Sequence, residues 1–435
     1  MRADAVTRRF LDTKLRALRA RSERLAVLTP RRVGLRRQDM PYAPSPAHFA
    51  AANHRLRSIA KKISRRRELM LRTWGSRTSD QKLTAMALID RDVDRLRRTF
   101  GMLFEIFSQR GSSFAPALAA HDVIATDCYA AVRGALPEVF DGPLLKPLTY
   151  MEHGYSPATQ RRGVSLARLL GDSNPFPVIR IPWDRDNPWQ PVFLHEVAHN
   201  LQADMQLWNE NATALARRLM GMSFDPLVVT IYHRWHKEIF ADLAALLLGG
   251  TAATWGMMEF LAHPQARALT YRPGGAHPTG WFRVLILAEM MRRMGFDKAA
   301  ADAEKCWRKL YDPKQGHRLP AVMLSASNRV IPAVVDEIAF QPRHALGQHA
   351  LVDAIPFGRE DEARIRRAAI SIGAGRCPTD IPPRYLVSAS RFALESGAEP
   401  NSMSRLVIRQ LASLHRRHAD SAQIPGASRP TALAA

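Results

Sequence analysis

Three residues in the stretch PWQPVFLHEVAHNLQADMQLW are of a type and spacing that does chemistry: His195, Glu196 and His199, in the order HExxH. Residues four apart on a helix share one face, so both imidazoles can reach one ion while Glu196 sits beside the open coordination position. Two imidazole ligands and an adjacent carboxylate base are the working parts of a zinc hydrolase. On a helical wheel Leu194, Val197, Ala198, Leu201, Met205 and Trp208 form one apolar stripe, opposite His195 and His199. The helix is therefore expected to have a buried back and a chemical front. Asn187-Pro188 is its expected start, with Gln190 in the capping-box position. An HExxH arises by chance in roughly one chain in forty of this length, so a third ligand has to be found.

A hydrolytic zinc site takes three protein ligands and leaves the fourth place to water. A metzincin pattern would put glycine at 202 and histidine at 205, where this chain has Gln202 and Met205. A peptide deformylase would need a cysteine ligand in a short glycine-rich motif, a setting that Cys128 lacks. Asp204 is one residue out of register and reads as a carboxylate on the helix surface. Downstream, YHRWHKEIFADLAALLLGG reads as a helix that stops at Gly249-Gly250 and carries Glu238 and Asp242 four apart. Glu238 is the expected third ligand, and Asp242, one turn on, can accept the outer ring N–H of a ligating histidine. His233 and His236 are rival ligands. Ala241 and Ala245 flank the same face and would let this helix approach the HExxH helix closely. A merely amphipathic helix would explain the alanines but not the paired carboxylates.

HEVAH followed by Glu238-x-x-Ala241-Asp242 resembles the gluzincin metallopeptidases. A third block, His277-Pro278 with Arg283 six residues after the histidine, is similar to that of the family containing the CAAX-processing endoprotease and the heat-shock membrane protease. The resemblance covers about residues 170 to 290. It implies a zincin-like fold, a zinc ion, and a role for His277 and Arg283 beside it, holding the substrate carbonyl and the oxyanion. Family members of the membrane type have spanning helices. Here the longest uncharged stretch, Leu243 to Met258, falls short of the roughly 20 apolar residues a span needs and contains three glycines.

The surrounding elements have to position these groups. FPVIRIP at 176–182 is apolar, β-favouring and bounded by prolines, as expected of an edge strand beside the cleft, with Val178, Ile179, Arg180 and Ile181 available to pair with an extended peptide. The substrate implied is a polypeptide. Residues 79 to 109 carry Met86, Ile89, Val93, Leu96, Phe100, Leu103 and Phe107 at alternating steps of three and four, predicting one long helix capped by Ser79 or Asp80. The expected fold class is α+β, mainly α: a zincin-like catalytic domain with a small sheet, flanked by helical regions. The expected divisions are a basic arm at 1–75, a helical region at 76–150, the metallopeptidase domain at 151–300, a helical C-terminal extension at 301–417 and a flexible tail at 418–435.

The chain has 435 residues, 46% of them hydrophobic, so an ordinary core is within reach and disorder throughout is excluded. Three scattered cysteines make no disulfide framework and fit a reducing, cytoplasmic compartment. No secretory leader is expected, because no more than two apolar residues adjoin before Lys14, and an organellar presequence is a minor option. The net charge of +23 is uneven: residues 1–75 hold 20 Lys/Arg against 5 Asp/Glu, residues 151–300 hold 15 against 13. Leu11, Leu15, Leu18 and Leu25 recur beneath arginines as in a basic amphipathic helix, four prolines between 30 and 46 suggest a linker, and KKISRRR at 61–67 resumes the basic pattern. Nucleic acid or an anionic membrane surface is thus a candidate partner of residues 1–75. The alternative to a peptidase is a basic binding protein of that kind whose zinc site is structural or vestigial.

Overall fold

A computed structural model describes residues 5–140, 144–152, 158–160, 175–183, 187–313 and 319–417. The 418–435 segment, expected as a tail, lies outside the described residues. The fold is mainly helical with one small sheet, and the chain divides into two compact units.

Of the described chain, the first unit comprises residues 5–115 with 160 and 175–178 and is built on α1 (Ala5–Arg24), α2 (Pro46–Arg72) and α3 (Ser79–Ser108). These helices pack on one another: Leu11, Leu15 and Leu18 of α1, Leu56, Ile59 and Ile63 of α2, and Met86, Ile89, Val93 and Leu96 of α3 are all buried. The leucine spacing in the basic segment was thus a core face, and residues 5–72 are folded against α3 instead of extending as an arm. The long helix spans the expected residues, but Thr78 caps it: its side chain accepts from the Gln81 amide while the Gln81 side chain accepts from the Thr78 amide.

The second unit comprises residues 116–159 and 179–417 of the described chain. After α4 (Ala115–Ala135) come β1 (Leu148–Glu152), β2 (Ala158–Gln160) and β3 (Val178–Pro182), in the order β1-β3-β2. The strand predicted at 176–182 is therefore present but central. The strand carrying Val178, Ile179, Arg180 and Ile181 has a neighbouring strand on each side, so it is not the edge strand that the sequence suggests. Pro182 ends the strand and Pro177 precedes it, so no proline interrupts the ladder and the sequence signal for an edge was misleading.

The helices follow: α5 (Val192–Asp204), α6 (Leu207–Gly221), α7 (Pro226–Gly249), α8 (Ala252–Leu261), the single turn α9 (Gln265–Ala268), α10 (Gly280–Arg293), α11 (Asp297–Leu310), α12 (Ala321–Val335), the turn α13 (Leu351–Ala354), α14 (Arg359–Gly373), α15 (Pro383–Glu395) and α16 (Pro400–Arg417). The most extensive helix pairing around the site is α5 against α7. Two glycines permit the close approach. A Cβ on Gly249 would stand 2.4 Å from Leu194 Cδ1 of α5, and one on Gly256 would stand 2.5 Å from Pro191 Cδ. Both lie well inside van der Waals contact, so a methyl on Gly249 would make the Leu194 side chain of α5 move, and one on Gly256 of α8 would press on the rigid proline ring that caps α5.

Candidate metal centre

α5 begins at Val192, with Pro191 in the capping position, later than the Asn187-Pro188 start that the sequence suggests. The Asn187 side chain instead accepts a hydrogen bond from the Ser404 hydroxyl at 3.1 Å. The helix is buried on every side from Val192 to Gln202, with His195, Glu196 and His199 keeping 4%, 8% and 7% of their surface exposed. It ends at Asp204, the chain turns through a left-handed Gln206, and Trp208 belongs to α6. Asp204 is also buried, where it accepts a hydrogen bond from Tyr129 at 2.6 Å, not a surface carboxylate as its register suggests.

His195 and His199 lie one turn apart on α5, ring centroids 4.7 Å apart and nearly perpendicular. Glu238 reaches them from α7. Its Oε2 stands 3.4 Å from His195 Nε2 and its Oε1 3.3 Å from His199 Nε2. One ligand atom from each of the three lies within 4.8 Å of the others, the only such grouping of His, Cys, Asp and Glu among the described residues. His236, the rival on the same helix, is buried elsewhere, its Nδ1 donating to the His233 carbonyl at 2.5 Å.

These separations are compatible with a shared metal ion as well as with long, weak direct pairing. A hydrogen bond between imidazolium and carboxylate closes to about 2.7–2.9 Å. Two donors about 2.0–2.1 Å from a tetrahedral zinc stand about 3.3–3.4 Å apart, and each imidazole is that far from one of the two Glu238 oxygens, His195 from Oε2 and His199 from Oε1. The donor set, two imidazoles and one carboxylate oxygen, suits zinc.

Behind the ligands lies a buried ionic chain. Asp242, one turn after Glu238, places Oδ1 2.8 Å from His195 Nδ1, which leaves Nε2 turned toward Glu238. Arg283 of α10 grips Asp242 with two hydrogen bonds, Nε to Oδ2 at 2.7 Å and Nη2 to Oδ1 at 2.6 Å. Asp242 is 1% exposed and Arg283 4%. In a medium this dry each charge depends on the other, because an uncompensated buried ion is costly. The guanidinium thus holds a carboxylate, and through it the histidine. Glu196, itself buried, is close enough to Arg283 to act on its charge.

The titration tendencies follow from this arrangement. Burial pulls the His195 pKa down, but Asp242, through its hydrogen bond and its charge, outweighs that with help from Glu238 and lifts it to about 9. Burial pushes the Asp242 carboxyl up, and the Arg283 charge and hydrogen bond more than reverse this, leaving it below the usual range. Glu238 is held well below its ordinary value: burial opposes ionisation, and hydrogen bonds from His195 and His199 overcome it.

His277 stands apart from these buried groups. Its side chain is 73% exposed and Nε2 lies 3.6 Å from Glu238 Oε1, on the approach just before α10. It touches one of the three donors and lies outside their cluster. The structure therefore brings His195, His199, Glu238 and Asp242 together, sets Arg283 behind them and His277 at their rim. What sequence reasoning missed is the direct Arg283–Asp242 link, since nothing in the spacing of 242 and 283 announces a buried pair. The cysteines are free, and Cys128 is buried. No described helix is long and apolar enough to cross a membrane. No family model matches this chain, and no curated protein or solved structure is similar enough to it to count as a match.

Proposed function

We propose that this chain is a zinc-dependent peptidase, with a zincin-like catalytic region around α5, α7 and α10. The observation that carries the reading is the convergence of His195, His199 and Glu238 from two helices, one ligand atom of each lying within 4.8 Å of the others. Two imidazoles and a carboxylate this close together are a donor set that one zinc ion can share. Three protein donors with a fourth place left over is the hydrolytic pattern.

His195, His199 and Glu238 would hold the ion. Zinc, when bound, supplies Lewis acidity: it lowers the pKa of water toward about 7 and polarises a carbonyl. The chain's own residues then divide the remaining work. Glu196 takes the proton of the attacking water and returns it to the leaving amine as the C–N bond of the substrate breaks. A carboxylate suits this because it can hold one proton between the two transfers. Asp242 fixes the His195 tautomer by accepting from Nδ1, so that Nε2 keeps its lone pair for the ion. Arg283 keeps Asp242 ionised and aimed. His277, at the exposed rim, would donate to a substrate carbonyl.

The substrate class proposed is a polypeptide. The test pairs metal analysis of the purified chain with a peptide-library digest by wild type and Glu196→Gln. One zinc per chain in both proteins is expected, with turnover in the variant lower by about two to four orders of magnitude. Undiminished hydrolysis by Glu196→Gln, or a wild-type chain that does not retain zinc, would overturn the reading.

A further inference from the structure

The first helical unit ends in an apolar tip. Trp74, just after α2, joins three helices there: its Nε1 donates to Asp12 Oδ1 of α1 at 3.0 Å, and Lys82 Nζ of α3 stands over its ring, 4.8 Å from the centroid. Close by in sequence on each of the three helices are large apolar side chains that the core does not use. Phe10 is 62% exposed, Val6 66%, Leu69 54%, Leu71 45% and Leu83 43%. At 1.5 Å of rise per residue, Phe10, Leu71 and Leu83 lie within about one turn of the joint, and Val6 and Leu69 within about two. Of thirteen large apolar side chains exposed among the described residues, eight fall between 6 and 104; the other five are spread over 183 to 370. Single exposed apolar residues are ordinary, but a group gathered at one end marks a contact surface.

The same turns are basic. Arg8, Arg9 and Arg72 are exposed, and Arg77 projects from the joint with Nε donating to Thr73. The acidic side chains nearby are Asp12, taken up by Trp74, with Glu68 and Asp80. Exposed Phe and Leu side chains interspersed with arginines over the same turns match one kind of surface: an interface whose outer layer is anionic and whose interior is hydrocarbon. Nucleic acid satisfies only half of this. It would bind the arginines, and a base could stack on Phe10, but Leu69, Leu71 and Leu83 have no π-face to offer and no apolar phase to enter.

We propose that this tip, formed by the start of α1, the end of α2 and the start of α3, docks the protein on an anionic lipid bilayer, with Phe10, Leu71 and Leu83 entering the headgroup boundary and Arg8, Arg9 and Arg72 contacting lipid phosphates. It is a peripheral attachment: side chains, not a helix, enter the membrane. The inference does not depend on the metal centre and survives if that reading fails.

The experiment is cosedimentation of the full chain with vesicles of phosphatidylcholine alone and of phosphatidylcholine mixed with phosphatidylglycerol, over a salt series. Binding is expected only to the mixed vesicles, weakened but not abolished by salt. Phe10→Ser with Leu71→Ser should lower the partition coefficient about tenfold or more, and Arg8→Glu with Arg9→Glu by about tenfold. All four side chains are exposed, so unchanged thermal unfolding checks that the variants remain folded. Three results would overturn the proposal: vesicle binding indifferent to the Phe10 and Leu71 changes; retention on duplex DNA stronger than on vesicles and likewise indifferent to them; or a dimer in solution that the apolar variant dissociates while the wild type ignores vesicles.

Discussion

The two units use the same ion pair to opposite ends. In the first, Arg21 and Asp90 meet at 2.8 Å with their side chains 56% and 46% exposed, and Arg66 pairs with Asp92 under similar conditions. In the second, Arg283 and Asp242 meet at 2.6 Å with 4% and 1% exposed. Water screens the first pair to about 0–1 kcal/mol. The interior makes the second conditional, because loss of either partner strands a charge. Exposure therefore decides what an arginine does here. On the first unit it leaves positive charge facing solvent. Beneath the candidate metal site it becomes part of the scaffold that aims an imidazole.

The contrast can be tested by substitution and pH. Arg283→Leu should cost about 3–5 kcal/mol in denaturant unfolding, since it leaves Asp242 ionised and buried with only His195 beside it; a cost under about 1 kcal/mol would put the pair on a par with surface pairs. The proton on His195 supplies a second handle. A pKa lifted from 6.5 to about 9 means that this proton stabilises the metal-free fold fully below pH 6.5 and that the contribution is lost as pH rises through 9. Zinc needs the same nitrogen unprotonated, so its affinity should fall about tenfold per unit as pH drops through that window. The increase in Tm on adding zinc should accordingly grow from pH 6.5 to 9, and an increment independent of pH would remove His195 from the ligand set. Asp242→Asn, which keeps the shape but weakens the grip on Nδ1, should lower zinc affinity about 10- to 100-fold by competition with a chelator. Gly249→Ala should lower stability by about 1–3 kcal/mol through its clash with Leu194. Smallest of all, Arg21→Ala should change stability by less than about 1 kcal/mol, with no effect on zinc.

Much of the candidate site was legible because its parts are local. His195 and His199, and again Glu238 and Asp242, are four residues apart, and the α-helix alone puts each pair on one face. The α3 pattern was legible for the same reason, and so was Gly249-Gly250 as the end of a helix. Less legible was anything set by a neighbour distant in sequence. The leucines of α1 have the spacing of any amphipathic helix, and only packing showed that they face α3 instead of a lipid or a partner. FPVIRIP reads equally well as an outer or a central strand, because a period of two says nothing about which strands lie beside it.

From its order of residues alone, this protein had determined which side chains share a helix face, where helices stop, and that positive charge gathers in the first seventy-five residues. Those properties arise from backbone geometry within a turn or two and need no partner. The tertiary structure decided that Glu238 meets His195 and His199 across two helices, that Arg283 holds Asp242 and that Trp74 draws three helix ends into an apolar tip. Each of these joins residues far apart in the chain, and such contacts exist only once burial has selected one packing from the many that local preference allows.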